Sequence, residues 1–275
     1  MKGPDWRALD DAVRLKPGAK IKLTDALALG ESVLPDKEEA KELLEKDAEK
    51  INELQDRLFA EGRRSLLIVL QGMDTSGKDG TVRAVFNNTG PLGVCVTPFG
   101  RPSDEELSHD YLWRIHAATP GKGMIGIFNR SHYEDVLVVK VRKLAPAEKI
   151  AQRYEQINAF EKHLVENDVT VLKFMLHISP GEQKVRLAER LEDPVKRWKF
   201  NPGDLDDRKL WPDFMAAYET LLQRCSTTHA PWRVIPADKK WRRSALIARI
   251  VRGTLEDMDP QPRQPSFDPT QFKIE

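Results

Sequence analysis

Lys78 and the glycines ahead of it are the residues whose type and spacing most directly imply chemistry. In "LLIVLQGMDTSGKDGTVRAVF", residues 66 to 86, Gly72 is followed after four residues by Gly77 and Lys78, which spells G-x-x-x-x-G-K between an apolar run and a helical pattern. Glycines let the backbone curl so that its N–H groups face an anion, a helix N-terminus adds positive potential, and a lysine contributes a mobile charge. Gly72, Thr75, Ser76, Gly77, Lys78, Asp79 and Gly80 are therefore the expected phosphate cradle. As a loop residue Lys78 is expected to be exposed, so that removing it leaves the fold intact. The plain alternative is a glycine-rich turn, and the coincidence of strand, glycines, lysine and helix speaks against it.

Asp79 stands where such loops usually carry Ser or Thr to hold a magnesium ion, and a carboxylate there repels phosphate unless it points away. Asp74, inside the loop, is the acid expected to reach the metal, and Asp79 is read as an exposed first-turn residue favoured by the helix dipole. A second apolar run, in "MIGIFNRSHYEDV", ends in Asn129 where an acid commonly helps to hold the metal. Arg130 follows at the C-terminal edge of that strand, placed for its guanidinium to meet phosphate oxygens, and Glu134 and Asp135 restore negative charge a few residues on. His132-x-Glu134 imitates part of a zinc deaminase signature, but the companion PCxxC is absent from the chain.

A third group lies in "PGEQKVRLAERLEDPVKRWKFNPGDLDDRKLWPDF". Between 181 and 210 there are eight basic and seven acidic residues, so arrangement matters more than net charge. Arg186 and Arg190 are one helical turn apart, and Lys196, Arg197 and Lys199 surround Trp198 with no acid among them. A solvated charged helix is the plain alternative. The position, after a strand and before a long helix, is where phosphoryl-transfer kinases place a mobile arginine-bearing lid, here at about 180–212.

The elements that must position these groups are legible in the hydrophobic pattern. "SLLIVLQ" (65–71), "GVCVTPF" (93–99), "GMIGIFN" (123–129), "VTVLKFMLHIS" (169–179) and "WRVIPA" (232–237) are short apolar runs separated by helical segments, the pattern of a parallel sheet buried on both faces. From Asp36 to Arg63, Leu43, Leu44, Ile51, Leu54, Leu58 and Phe59 recur at helical spacing, which predicts an amphipathic helix ahead of that core. Residues 1–62 are thus expected as an N-terminal extension, 63–257 as the core with its lid, and 258–275 as a Pro-rich tail along the surface.

The 275 residues carry a formal net charge of +1 with 32% charged and 40% hydrophobic residues, so the chain is neither a basic nucleic-acid binder nor an acidic disordered one. Any anion site must be built locally. No apolar run approaches the roughly 18 residues of a membrane span and the N-terminus lacks a signal-like apolar core, so a soluble cytoplasmic protein without membrane or nucleic-acid partners is expected. Cys95 and Cys225 are expected as plain buried residues, and His109 and His116 as seven apart on one helix without a catalytic role.

Taken together, "GMDTSGKDGT", "PSDEELSHDYLWRIH" (102–116), "FNRSHYEDVLV" and "EQKVRLAERLEDPVKRWKF" resemble the family-2 polyphosphate kinases over about residues 35 to 257. The resemblance implies an α/β fold of the P-loop, thymidylate-kinase-like kind with a helical lid. It also implies magnesium-dependent, or manganese-dependent, phosphoryl transfer between inorganic polyphosphate and a nucleotide. It places the family's loop acid, loop lysine, post-strand arginine and two lid arginines on Asp74, Lys78, Arg130, Arg186 and Arg190. The commoner family pattern has Asp at the position of Asn129 and Asn at that of Glu134, an exchange similar to the class III subgroup that accepts AMP and ADP. Glu134 is then expected to serve the metal beside Asp74, and the double exchange Asn129→Asp with Glu134→Asn to keep metal binding better than Glu134→Asn alone. Arg101, in "FGRPSDEE", is a candidate for the acceptor nucleotide, with GMP and GDP as further acceptors, and a homo-oligomer is expected. The competing readings are an ATP-dependent nucleotide or small-molecule P-loop kinase and a GTPase-like switch. The switch is disfavoured because the chain has no NKxD.

Overall fold

A computed structural model describes residues 4–34, 36–268 and 271–272 of the chain. In chain order the elements are α1 (Trp6–Val13), α2 (Asp25–Leu29), α3 (Lys37–Glu61), β1 (Ser65–Gln71), α4 (Lys78–Val85), β2 (Val94–Pro98), α5 (Asp104–Ser108), α6 (Trp113–Ala117) and β3 (Ile125–Asn129). A 3-10 turn (His132–Asp135) leads to α7 (Val138–Val141), α8 (Ala147–Glu166), β4 (Val169–His177), α9 (Pro180–Glu192), a second 3-10 turn (Arg197–Lys199), α10 (Gly203–Lys209), α11 (Trp211–Cys225), β5 (Trp232–Pro236) and α12 (Lys240–Met258).

The strands form one parallel sheet of order β2-β3-β1-β4-β5. Side chains alternate across a strand, and β1 shows where each half goes. Leu66, Ile68 and Leu70 meet Ile51, Leu54 and Leu58 of α3 and Leu246 and Ile250 of α12 on one face. Leu67 and Val69 meet Tyr154 and Ile157 of α8 and Leu221 of α11 on the other. The crossover direction reverses at β1, since β2 and β3 lie to one side of it and β4 and β5 to the other. Ligands bind outside the carboxyl ends of the strands at such a switch point. Those ends carry the glycine loop after β1, Arg130 after β3 and α9 after β4.

Several expectations need correction. α3 does not stand apart from the core but forms part of it against α12, and Phe59 is 48% exposed because its position lies about 100° round the helix from Leu58. Cys95 is exposed, because β2 is an edge strand with little covering it, whereas Cys225 is buried as expected. His109 and His116 do not share a helix: the chain breaks between α5 and α6, His109 stacks on Trp113, and both rings stay at the surface. The opposite sheet edge is covered by the N-terminal segment, where Arg14 bridges to Arg233 and the Leu15 N–H donates to the Trp232 carbonyl at 2.8 Å. In the tail, Arg263 donates to the carbonyls of Glu61 and Gly62 at 2.8 and 2.9 Å, residues 260–268 form no helix or strand, and 269–270 and 273–275 lie outside the described residues. Among the described residues no helix is long and apolar enough to cross a membrane.

Candidate active site

The loop between β1 and α4 is built to turn its N–H groups inward. Five successive carbonyls are each taken by a side chain behind or beside it. Lys78 Nζ donates to Gly72 O at 2.9 Å and Met73 O at 3.4 Å, Gln183 Nε2 to Asp74 O at 3.3 Å, Arg186 Nη1 to Thr75 O at 2.8 Å and Arg243 Nη1 to Ser76 O at 3.2 Å. In a trans peptide the next N–H points opposite to the carbonyl, so outward carbonyls make an anion nest, except that the Ser76 N–H closes a turn onto the Met73 carbonyl at 3.0 Å. Gly77, at φ 99°, has no room for a side chain, since a Cβ there would collide with the Arg243 guanidinium. The hydroxyls of Thr75 and Ser76 are buried in this cradle without a partner among the described residues, which suits groups that await phosphate oxygens.

Lys78 is not the exposed loop residue that the sequence suggests. It is 8% exposed at the start of α4. Burial, and then the charge of Arg130, pull its ammonium down to about 8, partly opposed by Asp74 and Glu134. Arg130 has φ 64°, a left-handed backbone pinned by its N–H to the Leu70 carbonyl at 3.0 Å, and its guanidinium pairs with Asp74 and lies 3.9 Å from Glu134. Burial works against its charge, and Glu134 and Asp74 outweigh that and hold it above its ordinary value. The two expected metal acids thus converge on one cation. Gln71 Nε2 donates to Glu134 at 3.0 Å and fixes the carboxylate from β1.

The turn carrying Glu134 is anchored from below. His132 Nε2 lies 3.3 Å from Glu161, Tyr133 donates to Glu161 at 2.7 Å, and Lys173 Nζ reaches Glu161 at 2.6 Å and the Cys225 carbonyl at 2.7 Å, all inside the core. Burial opposes the charge of Glu161, and Lys173 and His132 hold its carboxyl below the ordinary value regardless. Removing one partner of such a buried cluster leaves a charge without compensation.

Asp79 is exposed in the first turn of α4, as expected, and finds two partners there. It accepts from Asn129 Nδ2 at 2.7 Å and lies 3.8 Å from Lys199. The amide at the end of β3 is therefore the partner of the acid that replaces the loop hydroxyl, and the two unusual residues explain each other. An Asp at 129 would set two carboxylates together.

A cleft of about 490 Å³ above the loop is lined by Asp74, Thr75, Gly77, Lys78, Asp79, Gly80, Asn129, Arg130, Arg186, Arg190, Lys196 and Lys199, among others. Of the remaining expected residues, Arg197 donates to the Leu191 carbonyl of α9 at 2.9 Å and is not in this lining, and Arg101 lines a second cavity. Arg186 is tied down, with its nitrogens donating to Glu182, Thr75, Ala237 and Asp238 at 2.7–2.9 Å, so in this form it supports the loop. Arg190 is held by the Lys199 carbonyl at 3.0 Å and by Asp204 at 3.1 Å. Asp204 is a site residue that sequence reasoning missed: burial, then the charge of Asp74, raise its carboxyl to about 6. The only signal for it in the sequence was an acid among others in "GDLDD". Lys240 and Trp198 also line the cleft.

The second cavity, about 710 Å³, lies across Arg130 and is walled by Phe99, Pro102, Val138, Val139 and Leu144, with Arg101, Arg114, Glu134 and Asp135 as its charged groups. Phe99 and Arg130 line both spaces. Among the described residues no group of three or more His, Cys, Asp or Glu side chains is arranged to hold a metal by itself.

Residues 34–263 match the family model described as Polyphosphate kinase 2. The AMP/ADP-polyphosphate phosphotransferase of Meiothermus ruber is 50% identical over 226 residues, 82% of this chain and 85% of that protein. The ADP-polyphosphate phosphotransferase of Rhodopseudomonas palustris is 36% identical over 89% of each chain. The crystal structure of Polyphosphate Kinase 2 from Arthrobacter aurescens TC1 superposes with a TM-score of 0.89 at 40% identity, covering 96% of this chain and 94% of that one.

Proposed function

The chain belongs to the polyphosphate kinase 2 family, and on that premise we propose that it transfers phosphoryl groups between inorganic polyphosphate and AMP or ADP. The observation that carries the reading is that two cavities of different character meet at one arginine. The cleft over the loop, with Lys78, Arg190, Lys196 and Lys199, suits a chain of phosphates. The apolar-walled cavity beyond Arg130 suits a base and ribose, with Arg101 and Arg114 near its phosphate. A phosphoryl group handed from one to the other passes the Arg130 guanidinium, whose planar fork stabilises charge spread over the transferring oxygens. The activity in the name of the Meiothermus ruber protein supports AMP and ADP as acceptors.

Magnesium fits this site. Asp74 and Glu134 are hard oxygen donors already directed at one cation, and magnesium is commonly held by one or two carboxylates with substrate phosphates completing its shell. Bound there it would neutralise charge on bridging phosphate oxygens, and manganese shares the donor preference. The chain's own groups do the rest. Loop N–H groups and Lys78 bind and orient the phosphates, Arg130 meets the transferring group, and the lid segment carrying Arg190 closes water out. Assembly as a homo-oligomer belongs to the same proposal, supported by exposed Leu92 and Val96 at the β2 edge.

The deciding assay mixes the chain with magnesium, AMP and long-chain polyphosphate, without ATP, and follows ADP and ATP; ADP, GMP and GDP are run as alternative acceptors. Product without added ATP is expected. An ATP-dependent P-loop kinase would give none until ATP was supplied.

The contact between Asp79 and Asn129 changes what the exchange of acid and amide should do. Asn129→Asp with Glu134→Asn conserves charge, yet it opposes Asp79 with a second carboxylate, so it is expected to remain as impaired as Glu134→Asn alone. Adding Asp79→Gly should recover activity and alter the ratio of AMP to ADP use, a non-additive result expected of residues in contact. Steady-state rates with both acceptors check it; equal rates for the double and triple variants would mean that the contact does not govern the site.

A further inference from the structure

Arg243 lies on α12, outside every motif that the sequence singles out, yet it is buried against the back of the phosphate loop. Its Nη1 donates to the Ser76 carbonyl at 3.2 Å, and its Nη2 reaches the Ser244 hydroxyl at 3.4 Å. Because the Ser76–Gly77 peptide is trans, holding the carbonyl on this side aims the Gly77 N–H at the cleft that Gly77 lines. The charge of Arg186, which holds the preceding carbonyl, is matched by Glu182 at 2.8 Å. Among the described residues no ion pair involves Arg243. Burial, then the neighbouring charge of Arg186, lower its guanidinium to about 10, so it remains charged near neutral pH.

We propose that Arg243 is a positioning residue for polyphosphate, which fixes the Gly77 N–H toward the cleft and supplies a buried positive charge that is offset when an anion fills the loop. The inference rests on the phosphate-binding reading of that loop. A guanidinium with no carboxylate against it is costly to bury, and the anion in the cradle is the charge that completes it. Phosphate binding and folding are therefore linked through this side chain.

The test compares wild type with Arg243→Lys, which keeps the charge, and with Arg243→Met and Arg243→Gln, which remove it. Circular dichroism establishes which neutral variant folds, and calorimetry measures the affinity for inorganic tripolyphosphate. A folded neutral variant is expected to bind at least about tenfold more weakly, with KM for polyphosphate rising by the same factor and a smaller rise in Tm on adding tripolyphosphate. Arg243→Lys should recover most of the affinity. If both neutral variants fail to fold, the Lys variant decides alone, since a charge role requires its affinity to stay within about threefold of wild type. A neutral variant that binds as tightly as wild type, or a Lys variant as weak as the neutral ones, overturns the inference while leaving the function intact. Wild type that does not bind tripolyphosphate overturns both.

Discussion

Lys78→Met should lower the rate of phosphoryl transfer by a factor of about 10³ or more, because it removes the ammonium that the glycine loop itself contributes to a cleft lined also by Lys196, Lys199 and Lys240. Its burial makes the effect readable against pH. In the folded chain the ammonium titrates at about 8, below its ordinary 10.5, so substrate-free enzyme loses the charge as pH rises through 8. The value of kcat/KM for polyphosphate, which reports the free enzyme, should therefore fall by about tenfold per unit above that point. Stability moves the other way. Between about pH 8 and 10.5 the unfolded chain binds the proton that the folded chain has released, so this group's contribution to stability rises with pH across that window. Lys78→Met should lack both trends, and the difference between the two proteins in kcat/KM and in urea midpoint from pH 7 to 10.5 isolates them. A Met variant with wild-type turnover, or an alkaline limb that survives the substitution, would remove Lys78 from the reaction. Lys78 also holds the carbonyls of Gly72 and Met73, so some loss of loop order is part of the expected effect.

Arg130→Ala should reduce kcat by a factor of about 10³ while weakening tripolyphosphate affinity by less than about tenfold. Its side chain stands at the junction of the two cavities, so on the proposed function its charge would meet the transferring group more than the bound chain of phosphates. Alanine keeps a Cβ at φ 64°, so the backbone strain is the same in both proteins and the comparison reads the guanidinium. Arg130→Lys should recover little, since a point charge cannot bridge Asp74 and Glu134 as a planar fork does. Single-turnover rates beside calorimetric affinities separate the outcomes. A rise in KM with kcat unchanged would make Arg130 a binding residue only.

Within the strands and the loop, local pattern carried the reading far. The five apolar runs became the five strands, because a strand buried on both faces needs a continuous apolar stretch and little else. The glycine loop was legible because its backbone geometry demands glycine at 72 and 77. The same local reading went wrong where exposure depends on neighbours. Cys95 sits in an apolar run but on an edge strand, and Lys78 opens α4 with its ammonium buried against the Gly72 and Met73 carbonyls.

The sequence by itself therefore determined the α/β fold class, the glycine loop between β1 and α4 and the run of basic side chains around Trp198, since each is written in contiguous residues whose period or backbone demands are local. The tertiary structure alone decided the order of the strands and which charges meet. Asn129 finds Asp79 from 50 residues away, Arg130 finds Asp74 from 56, and Arg243 reaches Ser76 across 167. No spacing rule connects such positions. Their distances are set by the register of the parallel sheet and the packing of α12 on the loop, and where such a contact is buried, as at Arg243, its charge takes its strength from the water that packing excludes.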